Sequence, residues 1–185
     1  GPSITVRGKN GTISNAYPNG SLVNQGVIRA DVAGGGLTFS GGGGVTSTGT
    51  MQVVDGAVLN MASAFRIGPD ASMRNSPGGL MQLSGSLTTE TNRPALFKSQ
   101  GVLVMNGGGN AAAPRWLEVL SGDLGADNSG FDADNFGLGT LNLSNSTYVK
   151  LVDAADNSPG ASQECLYVSS LIVPAGSTLD LNGLT

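Results

Sequence analysis

The chain has 185 residues, room for one domain with a buried core, and its nine Lys and Arg against thirteen Asp and Glu leave a net charge of −4. Charged residues make up only 12% while thirty residues are glycine, which argues against exposed helices and against charge-driven disorder and leaves a β protein surfaced by Ser, Thr, Asn and Gly. Histidine is absent, so Ser-His-Asp and Cys-His catalysis and His-based metal sites are excluded, and the single cysteine, Cys165, allows no intrachain disulfide.

Along the chain, residues 1–3 read as the remnant of a cleaved expression tag, leaving 4–185 as one domain taken from a longer protein. Leu22–Ile28 is the first recurring unit: an apolar residue, small polar residues, then a glycine opening a strand. Val45–Met51 and Leu96–Leu103 repeat it, and Met73–Gly78 enters the same pattern less cleanly. A second unit, a glycine followed by alternating apolar residues, runs through Gly36–Phe39, Gly56–Met61, Gly79–Leu83, Gly101–Met105, Gly139–Leu143 and Gly176–Leu181. That period of two marks strands with one buried face. Between the first copies, Gly41–Gly44 lacks the Lys-Ser/Thr of a phosphate loop and reads as a tight corner. One helical turn is expected within Asn110–Leu120, next to Pro114. A loop rich in Asp, Asn and Gly is expected to protrude over 122–137, with a shorter one over 153–160. Cys165 sits in an apolar stretch and is expected to be a buried, inert thiol.

The interval from Gly26 to Gly49 equals the interval from Gly78 to Gly101. With strands but no convincing helix, this spacing predicts an all-β fold: a single-stranded right-handed parallel β-helix, or β-solenoid, with coils of about 23 residues.

The segment Val23–Phe39, VNQGVIRADVAGGGLTF, resembles the repeats of secreted bacterial β-helical proteins of autotransporter-passenger type. Leu166–Leu184, LYVSSLIVPAGSTLDLNGL, resembles a closing segment of large exported bacterial proteins. The resemblance implies export to the cell surface or beyond. It places the chain among adhesins, surface stalks, polysaccharide lyases and β-helical carbohydrate-binding modules attached to plant cell-wall hydrolases, and it carries over no binding residue.

The nine basic residues, Arg7, Lys9, Arg29, Arg66, Arg74, Arg93, Lys98, Arg115 and Lys150, look scattered, so no nucleic-acid partner is expected. No apolar run approaches the roughly 18 residues of a membrane span, so insertion is not expected either. Glu90, Glu118 and Glu164 are the carboxylates a glycosidase would need in a pair, but they fall in different coils and no catalytic residue is assigned. Asp123, Asp127, Asp132 and Asp134 are weak calcium candidates: the twelfth position from Asp132 is Leu143, where a calcium loop needs Glu. No cofactor is required by this reading, and Ca²⁺ is the one the loop could take. Sugars stack on exposed rings, and Trp116, flanked by Arg115 and Glu118, is the first candidate platform, with Tyr148 and Lys150 second. Phe39 and Phe97 alternate with apolar residues and belong to the core. The expected function is a monomeric, secreted, non-catalytic module binding a polysaccharide, with xylan favoured, alongside catalytic or anchoring domains. The alternatives are a structural stalk or adhesin repeat and a calcium-dependent polysaccharide lyase.

Overall fold

The computed structural model describes residues 3–126, 128–160 and 163–184. The described residues wind through seven coils, and each coil lays one strand on each of three faces. The first face runs through Thr5–Arg7, Val27–Ala30, Thr50–Val53, Ser72–Asn75 and the leading halves of Phe97–Met105, Gly137–Leu143 and Tyr167–Ile172. The second face takes Asn10–Asn15, Gly36–Gly41, Val58–Met61, Leu80–Leu83 and the trailing halves of those three long strands, so that the two faces fuse into one sheet. The third face is a separate sheet of Leu22–Asn24, Val45–Ser47, Phe65–Ile67, Leu87–Thr89, Arg115–Glu118, Tyr148–Val152 and Thr178–Asp180. Every pairing within these faces is parallel, which gives the β-solenoid.

Register sets the coil length. Thr5 pairs with Val27, Val27 with Thr50 and Thr50 with Ser72, so each early coil matches the glycine interval of the sequence to within one position. The alternation seen in the sequence becomes columns of stacked side chains inside the triangle. On the second face Leu37, Leu59, Met81, Leu103 and Leu141 lie one above the other, and Phe39, Met61, Leu83, Met105 and Leu143 form the next column. All ten are buried. Removing a side chain of this size from water stabilises by roughly 1.5–3 kcal/mol, so the stacked columns drive folding. Phe97 joins this core, edge-on to Phe136 with ring centroids 6.1 Å apart.

The corners show why glycine recurs. Val32–Gly35, Val54–Ala57 and Ser76–Gly79 each close with a bond from the fourth amide to the first carbonyl, and the third residue, Gly34, Gly56 or Gly78, has φ of 69°, 72° or 76°. A glycine at that position, preceded once by Pro77, is the pattern of a type II turn. The next coil lacks such a turn, and Phe97–Met105 runs straight from the first face into the second.

The coils depart from the repeats expected from sequence in two places and match them in one. The Gly26–Gly49 interval is a true coil step, because Gly49 stacks on Gly26 at the corner between third and first faces. Gly101 stacks on Gly79 and not on Gly78, and at a different corner, so Leu96–Leu103 does not copy Leu22–Ile28. Gly176–Leu181 belongs to the third face, whereas the other five copies of its unit stack on the second. The expected helical turn near Pro114 is instead a tight turn in which Asn110 Oδ1 accepts from the Ala112 and Ala113 amides.

From the fifth coil onward the corners lengthen: Leu87 pairs with Leu117, and the partner of Ser99 in the next coil is Leu138, a longer step still. Residues inserted after Glu118 and after Val152 stack against the corner between third and first faces, where Asn157 donates to the Thr89 and Thr91 carbonyls. The Asp-rich segment contains a 3-10 turn, Asn128–Phe131, and is closed on itself by buried Asn135, which accepts from the Gly122 amide and donates to the Gly122 and Gly130 carbonyls. Phe136 against Phe97 and the bond from Lys98 Nζ to the Ala133 carbonyl hold it to the stack. Cys165 is buried as expected, and burial raises its thiol pKa. No helix among the described residues is long and apolar enough to cross a membrane.

Candidate functional site: a groove on the third face

Outward positions on the third face align across the coils as closely as the inward ones. Register places Gly44, Ala64, Ser86, Trp116, Lys150 and Asp180 in one column. Two positions along each strand, Thr46, Arg66 and Thr88 form the neighbouring column. Three small residues therefore make a floor, and the indole of Trp116 rises at its end. The result is an open groove of about 380 Å³ lined by Gly43, Gly44, Thr46, Ala64, Arg66, Ser86, Thr88 and Trp116.

Trp116 is 51% exposed, and its amide donates to Ser86 Oγ at 2.9 Å, which fixes the strand beneath the ring. Arg66 pairs with Glu90 at the groove's edge, leaving charged hydrogen-bonding groups beside an apolar ring face. Lys150 lies directly opposite Trp116 in the next coil. Tyr148, two residues before it on the same side of the strand, donates its hydroxyl to Asp180 Oδ2 at 3.0 Å. That bond raises the Tyr148 pKa, while the Asn182 amide first and then Tyr148 hold the Asp180 carboxyl below the usual aspartate range. Trp116, Tyr148 and Lys150 thus share one surface.

The other two ligand candidates are engaged within the protein. Arg115 donates from Nε and Nη2 to the Gly107 carbonyl at 3.0 and 2.8 Å, bracing the corner that precedes its strand. Glu118 is 1% exposed and accepts from the Ala154 and Ala155 amides. Burial raises its pKa against the pull of those two bonds. Glu164 is built the same way, buried and accepting from Asn157 and Ser158. The two carboxylates tether opposite ends of one loop; Glu90 sits apart at the groove's edge.

Asp123, Asp132 and Asp134 line an open basin of about 740 Å³ between the stacked corner loops, together with Asn92 and Asn157. Asp123 Oδ1 accepts from the Gly125 amide at 2.9 Å, a local turn contact. Asp127 lies outside the described residues. Among the described residues no three His, Cys, Asp or Glu side chains come together as a metal site.

Four of the nine basic residues come together once the chain is wound. Arg7 lies opposite Arg29, Arg29 opposite Gln52, Gln52 opposite Arg74 and Arg74 opposite Lys98, in one outward column of the first face. Each is separated from the next by one coil, so their spacing in the sequence is the coil repeat itself. That spacing was the signal in the sequence, and reading charge by local clustering missed it. No family model, no curated protein and no solved structure matches this chain.

Proposed function

We propose that this chain is a non-catalytic, secreted carbohydrate-binding module that holds an extended polysaccharide in the third-face groove, a plant cell-wall glycan such as xylan being the favoured ligand. The observation that carries the reading is the half-exposed Trp116 standing at the end of a floor of Gly44, Ala64 and Ser86. A sugar ring presents CH groups on its faces and hydroxyls on its rim. The indole accepts the face, as amphipathic aromatics do at interfaces. Thr46, Thr88 and the Arg66–Glu90 pair offer partners to the rim. An extended chain laid across the coils would cross one strand roughly every 4.8 Å, with Trp116 as the aromatic contact at one of these steps.

Affinity electrophoresis against xylan, glucomannan, β-glucan and hydroxyethylcellulose tests this. Retardation by at least one glycan, lost in Trp116→Ala, is the expected result. An unretarded wild-type protein across the panel would point instead to the structural stalk, and a retarded Trp116→Ala variant would move the site elsewhere.

A further inference from the structure

The first face carries a second feature, independent of the Trp116 groove. Four of the chain's nine basic residues, Arg7, Arg29, Arg74 and Lys98, stand in one column with Gln52 at its centre, in a protein whose net charge is −4. At roughly 4.8 Å per strand the five side chains span about 20 Å. Like charges directly opposite one another work against the sheet. Here that happens twice, at Arg7–Arg29 and at Arg74–Lys98. Asp31 relieves the first pair, its Oδ2 lying 2.7 Å from Arg7 and 3.1 Å from Arg29. Even so, the two arginine side chains remain 64% and 44% exposed. The second pair has no carboxylate partner among the described residues: Arg74 donates to the Ala95 carbonyl at 3.2 Å and Lys98 to the Ala133 carbonyl at 2.9 Å. Each uses one donor there and keeps the rest. At Arg74–Lys98 the sheet stacks like charges without a carboxylate to offset them, which breaks a local rule of stability, and such breaches concentrate at functional surfaces.

We propose that this column is a binding surface for a linear anionic polysaccharide bearing one carboxylate per sugar. Guanidinium groups match carboxylates in a two-pronged geometry, and Gln52 supplies an amide suited to hydroxyls. The neighbouring outward column is Thr5, Val27, Thr50 and Ser72, which offers hydroxyls and no ring on which a nucleobase could stack. A duplex with a charge every ~1.7 Å also far exceeds the charge density of the column. A polyuronate, with one charge per sugar, fits it. The loop at 131–133 walls off the far end beside Lys98.

The test measures binding of the whole chain to polygalacturonate, with fully methyl-esterified pectin, a sulfated glycan and single-stranded DNA as the other arms. Expected are binding to polygalacturonate that weakens as salt rises, and little binding to the esterified polymer. Arg74→Gln/Lys98→Gln should weaken binding about tenfold or more, the scale of lost charge-assisted hydrogen bonds. Arg93→Gln, an exposed arginine elsewhere, should leave binding unchanged, as should Trp116→Ala, which separates this surface from the groove. Melting curves establish that each variant is folded, and the contrast between free acid and ester needs no variant at all. Absent binding to polygalacturonate, preference for DNA or the sulfated glycan, or equal losses in Arg93→Gln would overturn the proposal.

Discussion

Trp116 stands directly opposite Lys150 on the third face, with Ser86 hydrogen-bonded beneath it on the other side. The ring is half exposed, so its removal leaves no enclosed cavity. Trp116→Ala should change stability by no more than about 1 kcal/mol while weakening glycan binding by more than ~1 kcal/mol, as a central aromatic contact does. Parallel melting and binding titrations check both halves. A large loss of stability would mean that the indole is core.

Coil register makes two glycines behave differently. Gly34 has φ of 69° and open space where a Cβ would point, so Gly34→Ala should cost only the left-handed backbone penalty of roughly 1–2 kcal/mol. At Gly49 a Cβ runs into the Gly26 carbonyl of the coil below. Overpacking of this kind forces backbone shifts costing about 1–3 kcal/mol or more, and Gly49→Ala should be the more damaging of the two in urea unfolding. Equal costs would contradict the stacking of Gly49 on Gly26.

Phe136 ties the 122–136 segment to the core through Phe97. Phe136→Ala should lose about 3–5 kcal/mol, the usual cost of deleting a buried phenyl ring. It should also speed amide exchange at Gly122, whose N–H bonds the adjacent Asn135. Unchanged protection at Gly122 would show that the segment is held by other contacts.

Acid should stabilise the loop over 153–160. Burial raises the pKa of Glu118 and of Glu164 above the usual glutamate value of 4.5, with Asp153 adding to both. The folded protein therefore binds these two protons more tightly than the unfolded chain does. The resulting penalty is absent below the unfolded value and grows as pH rises through the folded ones. Stability contributed by these groups should increase as pH falls from neutral toward the ordinary glutamate range, and Glu118→Gln/Glu164→Gln should flatten that slope. Thermal melts across this range decide it; an unchanged slope in the double variant would assign the pH dependence elsewhere. Asp180 has the opposite sign, since its lowered pKa contributes stability that is lost as pH falls through its folded value.

How much of this was legible in the sequence follows from what repeats. Inward columns such as Leu59, Met81 and Leu103 leave a period of two along each strand, so the solenoid could be read directly. The coil length was readable because Gly26 and Gly49 occupy the same corner. Face assignment was not, because Gly-apolar alternation looks the same on the second face at Gly101 and on the third at Gly176. The site was legible only in part. Trp116 was found from its residue type, but Gly44, Ala64 and Ser86 are ordinary small residues until register sets them side by side. Glu118 looked available beside Trp116, and only the returning loop at 154–155 shows that it is covered. The basic column lay hidden for the same reason, its members a full coil apart along the chain.

Trp116 is the only tryptophan in the chain, which makes it a built-in reporter of the groove. Titrating the protein with xylo-oligosaccharides while following its fluorescence and its quenching by acrylamide tests directly whether the groove holds the glycan. Saturable change in emission with protection from quenching is the predicted result. Saturable binding to the oligosaccharides in calorimetry with emission and quenching both unchanged would contradict it.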